Sequence, residues 1–185
     1  VIDAGMMFPG AEHLGVDVVI PNLDFLDDCG TIHGLVLTHG HEDHVGGLSF
    51  LLRELKFPIY GSELTLGLAR HRIEEAGLVD RTDFRVVADN ERTKIGPFDC
   101  EFLPVTHSVP HGFATAIHTP QGTILHTGDF KLDLNPVDGR LTDLSVMGAI
   151  AQNEGIRLLL SDSTNADSPG HSRSETSVGA VLYNV

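Results

Sequence analysis

The chain has 185 residues, of which 41% are hydrophobic, so it is long enough and apolar enough to fold around a substantial core. Its 26 acidic residues outnumber its 12 basic residues, and the resulting net charge of −14 argues against a broadly basic surface for nucleic acid. An enzyme that acts on nucleic acid is not excluded, because bound metal ions can be the largest local charges in a site. We find no signal peptide and no apolar stretch that approaches a membrane span, and we therefore expect no association with a membrane.

The start of the chain resembles the interior of a longer protein. The segment "VIDAGMMFPG" (1–10) has the pattern of a strand end that runs into a loop, and no initiator methionine precedes it. We therefore expect a truncated chain that lacks its native N-terminus.

The two cysteines, Cys29 and Cys100, lie in short hydrophobic contexts, and neither belongs to a CxxC pair. This pattern predicts two buried, unreactive thiols. A protein without disulfide spacing fits a reducing compartment, so we expect a cytoplasmic location.

Short apolar runs alternate with amphipathic segments, which predicts an α+β fold whose sheets contain antiparallel pairs. The segments "ATAIHT" (114–119) and "TILHTG" (123–128) predict a β-hairpin with Pro120 and Gly122 in its turn. The other predicted strands are 32–38, 57–61, 84–88, 100–106 and 156–161.

Four helices are predicted from the spacing of apolar residues. Residues 45–55 carry one apolar face, and in the second helix, 62–76, the side chains of Leu64, Leu68 and Ile73 are expected to face the core. The two remaining helices are predicted near 141–152 and from 174 towards 185.

The segment "THGHEDH" (38–44) places three histidines and two acids within seven residues, directly after an apolar run. Side chains at positions i, i+2, i+4 and i+5 cannot share one face of a helix, so we expect them on a tight loop at the end of a buried strand. Imidazoles together with carboxylates match Zn²⁺, and Mn²⁺ is an alternative. The predicted metal ligands on this loop are His39, His41, Asp43 and His44.

The loop is expected to lead into a helix that starts near Val45. Gly46 and Gly47 would leave room for a close approach at the start of this helix. The positive end of the helix dipole would suit an anion such as phosphate.

One loop cannot complete two coordination spheres, so further ligands should come from other strand ends. His107 follows a predicted strand in "PVTHSVPHG" (104–112), and Asp129 follows another in "LHTGDFKLD" (125–133). Taken alone, a histidine at a strand end is usually a satisfied polar residue, and an acid after a strand is usually a loop residue or a cap. The metal-binding run at 39–44 favours the ligand interpretation for both residues.

The other histidines carry weaker predictions. His111 either lines a cleft near His107 or belongs to an ordinary loop, and His118 and His126 could face either side of the hairpin. Surface or packing roles are predicted for His13, His33 and His71.

Together these motifs resemble the bacterial ribonuclease J family, in the β-CASP branch of the metallo-β-lactamase superfamily. The HxHxDH run is shared with the wider superfamily, whereas "HTGDFK" (126–131) and "DSTNA" (162–166) are typical of the nuclease branch. The similarity covers almost the whole chain. The segments that carry it are "DAGMMFPG" (3–10), "GLVLTHGHEDHVGGL" (34–48), "PIYGSELT" (58–65), "THSVP" (106–110), "TPQGTILHTGDFKLD" (119–133) and "SDSTNADSPG" (161–170).

The resemblance implies a partial metallo-β-lactamase αββα sandwich over residues 1–160 and the beginning of a β-CASP domain over 161–185. The loop at 165–175 is rich in turn residues and fits a domain junction. Asp3 matches the first motif of the fold, whose acid orders a loop. Asp162 matches the acidic motif that opens the β-CASP segment, where the acid helps to orient a distant histidine.

The resemblance also implies two divalent metal ions, with Zn²⁺ preferred and Mn²⁺ or Mg²⁺ as alternatives. Catalytic roles are implied for Asp43, Asp129 and Asp162, with Asp43 orienting the attacking hydroxide. The implied ligands are His39, His41 and His107 for one ion, Asp43 and His44 for the other, and Asp129 as the bridge.

The implied activity is hydrolysis of RNA phosphodiester bonds, internally and from the 5′ end, by a hydroxide activated by two metals. RNA is therefore the expected partner, and the full-length protein is expected to be a dimer or tetramer. Two alternatives are a hydrolase of thioesters or β-lactams and a non-catalytic module that binds RNA or a partner.

Two features depart from the family pattern. His111 and Gly112 follow "HSVP", where the family has an acid or a small polar residue, and this change would alter the cleft wall. The family completes its second metal sphere with a later histidine, whereas His171 lies in a loop where the family has no ligand. We therefore expect this stretch of chain, taken alone, to be weakly active or inactive.

Overall fold

The computed structural model describes residues 1–182, apart from the side chains at positions 179, 180 and 182. The chain divides into two compact units, Val1–Val87 and Ala88–Val185, and each has its own β-sheet. The helix predicted from 174 towards 185 is present as Thr176–Leu182, and positions 183–185 of that prediction lie outside the described residues. Among the described residues, no helix is both long and apolar enough to cross a lipid bilayer.

The first unit is built on a three-stranded parallel sheet with the strand order β1-β2-β3. The side chains of Leu35, Leu48 and Ile59 are fully buried in its core. The elements are β1 (Leu35–Val36), α1 (Glu42–Val45), α2 (Leu48–Glu54), β2 (Pro58–Gly61), α3 (Glu63–Glu75) and β3 (Asp83–Val86), with 3₁₀ helices at Asp24–Asp28 and Val79–Arg81.

The second unit is built on a five-stranded sheet with the order β4-β5-β6-β7-β8, in which only the β7–β8 pair is parallel. Ile150 of the helix α4 packs with Leu103, Ala114 and Leu125 of the sheet. The elements are β4 (Arg92–Ile95), β5 (Phe98–Val105), β6 (Gly112–His118), β7 (Thr123–His126), α4 (Leu144–Asn153), β8 (Ile156–Leu160) and α5 (Thr176–Leu182).

The predicted mixture of helices and antiparallel strands is confirmed. The hairpin is present as β6 and β7, and Gly122 in its turn has φ +112°, which favours glycine. The first predicted strand, 32–38, is reduced to two residues in β1. The strand β4 was not predicted, because it lies at a sheet edge with Arg92 and Lys94 exposed and therefore lacks an apolar pattern.

The single helix predicted over 45–55 is wrong, because the structure has two short helices with a break between them. The backbone N–H of Gly47 donates to the carbonyl oxygen of Ala4 at 2.7 Å instead of continuing the bonding pattern of α1. The predicted apolar face is nevertheless present: Leu55 is partly buried and packs against the core, and the buried residues are Val45, Leu48, Leu51 and Leu52.

The predicted core face of α3 is also partly wrong. Ile73 is buried, but Leu64 and Leu68 are 38% and 43% exposed. The buried face instead uses small residues such as Thr65, whose hydroxyl accepts a hydrogen bond from Ser62 at 2.8 Å. A face of this kind cannot be found by counting large apolar residues alone.

The prediction of two buried thiols is confirmed for Cys100 and wrong for Cys29, which is exposed. Cys29 follows a 3₁₀ helix whose buried residue is Leu26, so the cysteine lies on the outer side of that turn. Burial raises the pKa of the Cys100 thiol to about 11.

Alkylation with iodoacetamide at pH 8 should distinguish the two cysteines. We expect Cys29 to be carbamidomethylated and Cys100 to stay unmodified in the folded protein, because the thiolate is the reactive form. Peptide mass spectrometry measures both sites, and the chain unfolded in denaturant serves as the control in which both should react. Equal labelling of both cysteines in the folded protein would contradict the assigned burial.

Candidate metal centre

The segment that follows β1 brings the first predicted ligands together. His39 is 1% exposed, and its Nε2 atom lies 2.9 Å from Nδ1 of His41. The backbone of His41 is extended, and its carbonyl oxygen accepts hydrogen bonds from the N–H groups of His44 and Val45. His41 is therefore the N-cap of α1.

The predicted start of the helix near Val45 is wrong, because α1 already begins at Glu42. Asp43 and His44 consequently lie in the first turn of a helix, and the loop carries His39 and His41. Asp43 is exposed, and one of its carboxylate oxygens lies 3.7 Å from Nε2 of His44.

Asp3 orders this segment, as the resemblance implied. One carboxylate oxygen of Asp3 accepts a hydrogen bond from the backbone N–H of Thr38, and the other accepts one from the Thr38 hydroxyl, both at 2.8 Å. The second oxygen also lies 2.7 Å from Nδ1 of His44. Asp3 therefore holds one ring nitrogen of His44, which leaves Nε2 as the nitrogen on the side of Asp43.

The N-terminal segment packs closely against α1. The backbone N–H of Ala4 donates to the carbonyl oxygen of His44 at 2.7 Å, and that of Met6 donates to the carbonyl oxygen of Glu42 at 3.1 Å. A Cβ atom on Gly47 would lie 2.5 Å from the carbonyl oxygen of Gly5. The predicted close approach at Gly46 and Gly47 is confirmed.

In the second unit, His107 follows β5 and Asp129 follows β7. The Nε2 atom of His107 lies 3.7 Å from a carboxylate oxygen of Asp129, and both side chains are partly exposed. The two strand ends are joined because the backbone N–H of Lys131 donates to the carbonyl oxygen of Thr106 at 2.8 Å. The structure therefore brings His107 and Asp129 together at this edge of the sheet.

Asp162 follows β8 in the same unit and lies close to the loop that carries Asp129. Its carboxylate accepts hydrogen bonds from the backbone N–H and hydroxyl of Thr164 at 2.9 and 2.7 Å, and its backbone N–H donates to the Thr127 hydroxyl at 2.9 Å. Burial tends to raise the pKa of Asp162, but the hydrogen bonds from Thr164 and Phe130 and the charge of His107 outweigh it, so the pKa lies below its ordinary value. Asp162 is therefore ionised at neutral pH.

Each unit also has a cleft beside its predicted ligands. A cavity of about 350 Å³ lies beside Asp43 and is lined by Met7 and Val19, among others. In the second unit, a cavity of about 300 Å³ lies beside His107, and Val137 forms part of its largely apolar wall. Clefts of this size can take part of a small substrate.

Three histidines for which the sequence left two alternatives are either hydrogen-bonded within the fold or exposed. The side chain of His118 is 5% exposed and lies between Glu101 and Glu154, at 2.8 and 2.5 Å from their carboxylates. Nδ1 of His126 accepts a hydrogen bond from the backbone N–H of Gly128. His111 is exposed, so a loop position describes it better than a cleft wall.

Thr38 also belongs to this site, although no sequence pattern predicted it and it lies at the start of the segment 38–44. Its hydroxyl contacts Asp3 and lies 3.1 Å from Nδ1 of His39. The hydroxyl residue directly before the first histidine was the one sequence feature that could have indicated this role.

The fold and the clustered histidines and acids define the class of protein to which the chain belongs. The family described as the Metallo-beta-lactamase superfamily matches residues 25–171, and the chain belongs to this superfamily. The predicted fold class is thereby confirmed.

Relatives with curated names make the similarity more specific. The chain is 43% identical over 180 residues to Ribonuclease J of Synechocystis sp., covering 96% of this chain and 28% of that protein. It is 44% identical over 185 residues to Ribonuclease J of Mycolicibacterium smegmatis, covering 99% of this chain and 33% of that protein. The predicted resemblance to ribonuclease J is confirmed, and the chain spans about a third of the length of these relatives.

A solved structure supports the fold at lower identity. The crystal structure of a protein of unknown function from Enterococcus faecalis V583 matches with a TM-score of 0.60 and 18% sequence identity, covering 94% of this chain and 46% of that one. At this identity the match concerns the fold alone.

Proposed function

We propose that the natural protein is a metal-dependent ribonuclease that hydrolyses RNA phosphodiester bonds, both internally and from the 5′ end. The observation that carries the proposal is the pair of imidazole nitrogens of His39 and His41, 2.9 Å apart at a buried strand end. Superfamily membership and the similarity to ribonuclease J support it. A dimeric or tetrameric assembly, a cytoplasmic location and a β-CASP domain that begins within 161–185 after a metallo-β-lactamase domain over 1–160 belong to the same proposal.

The donor set fits the proposed cofactor. The six proposed ligands are imidazoles and carboxylates, which suit Zn²⁺ and also Mn²⁺. Within each unit, the side chains lie close enough to act together, as His107 and Asp129 do at 3.7 Å. Following the family motifs, we assign His39, His41 and His107 to one ion, Asp43 and His44 to the other, and Asp129 to both.

When bound, such ions would supply a Lewis acid that polarises the phosphate and lowers the pKa of water. The residues of the chain would then orient the ligand side chains and the attacking water. Asp3 fixes the ring of His44 through its 2.7 Å contact, and we propose that Asp43 orients the attacking water. Asp162 is ionised and hydrogen-bonded, so its carboxylate can accept a hydrogen bond from an imidazole. We propose that it orients a histidine in this way.

Removal and return of the metal test this function directly. We expect dialysis of the natural protein against a chelator to abolish hydrolysis of a 5′-monophosphorylated RNA oligonucleotide. Addition of Zn²⁺ or Mn²⁺ should restore it, because a bound ion such as Zn²⁺ lowers the pKa of water to about 7 and so supplies hydroxide at neutral pH. Full activity in the metal-free protein would contradict the proposal.

The same preparation distinguishes the alternative activities. Hydrolysis of a thioester or a β-lactam without hydrolysis of RNA would indicate another reaction of the superfamily. RNA binding without hydrolysis of any of these substrates would indicate a non-catalytic module.

A further inference from the structure

The ligand segment "HGHED" (39–43) contacts the helix α3 through the positions that lie between its proposed ligands. The proposed ligands are at positions 39, 41 and 43. Gly40 and Glu42 lie between them, and both contact α3, in which Leu68 and Arg72 are four residues apart and therefore on the same side of the helix.

The contact at Gly40 is a close packing contact that leaves no room for a side chain at this position. A Cβ atom at position 40 would lie 2.4 Å from Cδ1 of Leu68, so the leucine side chain rests directly on the backbone between His39 and His41. This contact also gives a role to Leu68, which the sequence pattern had assigned to the core. Leu64, one turn earlier, is exposed to a similar degree.

The contact at Glu42 is an ion pair with two hydrogen bonds. Nε and Nη2 of Arg72 donate to the same carboxylate oxygen of Glu42, at 3.0 and 2.7 Å. Its other oxygen, Oε2, is buried and has no hydrogen-bond partner in the part of the chain that the structure describes. The orientation of the Glu42 side chain therefore depends on Arg72.

The segment needs such support because α1 has only four residues. A helix of one turn is not stable by itself, since nucleation is unfavourable and few hydrogen bonds follow. The N-terminal segment holds one side of α1 through the backbone, whereas α3 holds the segment through Gly40 and Glu42. Ligands must be held to about 0.5 Å to bind a metal well.

We propose that Leu68 and Arg72 are positioning residues that hold the ligand segment in its metal-binding shape without binding the ion themselves. This inference rests on the proposed metal centre. The side chains of Arg72 and Glu42 are 45% and 36% exposed, so their ion pair adds little to overall stability. Its effect should therefore appear in metal affinity rather than in the melting temperature.

Titration of the metal-free natural protein with Co²⁺, followed by its visible absorption, measures this effect. We expect Arg72→Met to weaken Co²⁺ binding about tenfold, as outer residues of metal sites do, with an unchanged melting temperature. Arg70→Met is the matched control, because it removes the same charge from the same helix at an exposed position where Arg70 stacks on Phe84, and it should bind Co²⁺ normally. Likewise, Leu68→Ala should weaken binding, and Leu64→Ala should not.

A double variant tests whether Arg72 acts through Glu42. Glu42→Gln should weaken Co²⁺ binding as much as Arg72→Met, and the two changes together should weaken it no further. Arg72→Lys keeps the charge without the forked geometry and should give an intermediate affinity, which also provides a milder variant if Arg72→Met does not fold.

Two results would overturn the inference in distinguishable ways. If the unaltered protein binds Co²⁺ and Arg72→Met binds it equally well, or Arg70→Met loses as much affinity, the positioning role is wrong and the metal centre stands. If the unaltered protein does not bind Co²⁺, the metal centre and the positioning role both fail.

Discussion

His41→Ala is expected to reduce RNA hydrolysis by the natural protein by roughly a hundredfold to a thousandfold, because it removes one of the two imidazoles that define the centre. The nitrogen of His41 that faces His39 at 2.9 Å cannot be replaced from within the described loop, since Gly40 has no side chain and Asp43 lies in the first turn of α1. The backbone role of His41 as the N-cap of α1 survives the change, because its carbonyl oxygen makes those hydrogen bonds.

The measurement is the initial rate of cleavage of a 5′-monophosphorylated RNA at saturating Zn²⁺ or Mn²⁺, together with the melting temperature. His71→Ala is the matched control: the side chain of His71 lies on the outer side of α3, is 74% exposed, and has its Nε2 atom 3.5 Å from a carboxylate oxygen of Glu75. It should keep its activity. Equal rates for His41→Ala and the unaltered protein would remove the basis for the proposed centre.

Gly5→Ala is expected to destabilise the fold by about 3 kcal/mol or more, which is large for a single added methyl group. An ideally placed Cβ atom at position 5 would lie 1.6 Å from the carbonyl oxygen of Asp43 and 2.3 Å from its carbonyl carbon. Both are backbone atoms of α1, so the clash cannot be relieved by the movement of a side chain. The N-terminal segment would have to separate from α1.

Denaturant unfolding measures the change in the free energy of unfolding. Gly67→Ala provides a control of opposite sign: Gly67 lies within α3, and among the described residues nothing is within 4 Å of its Cβ position. Since alanine favours a helix, Gly67→Ala should stabilise the protein by about 0.5–1 kcal/mol. Unfolding of Gly5→Ala at the same denaturant concentration as the unaltered protein would show that the two segments are not packed as described.

The parts of the fold and of the site that are encoded by a few neighbouring residues could be predicted from the sequence. The hairpin and the ligand run could be identified because each is specified within a few residues. The contact between Asp3 and Thr38, 35 residues apart, has no periodic signal, and the resemblance pointed to Asp3 without its partner Thr38. The break between α1 and α2 has the same cause, because it depends on a hydrogen bond from Gly47 to Ala4.

The buried face of α3 shows a second reason why burial could not be predicted from the sequence. Leu68 has the size and spacing of a core residue, yet it lies on the ligand segment because Gly40 leaves a space there. Thr65 has a polar hydroxyl and is nevertheless buried, since Ser62 satisfies it. Both positions are decided by the partner segment and not by the helix.

The metal content of the natural protein tests the central claim most directly. Elemental analysis by mass spectrometry after purification without chelator, and again after reconstitution with Zn²⁺, gives the number of ions per chain. Two bound ions per chain, with a loss of metal in His41→Ala but not in His71→Ala, is the predicted result. Metal content below one ion per chain after reconstitution, or identical content in His41→Ala, would contradict a centre built on these histidines.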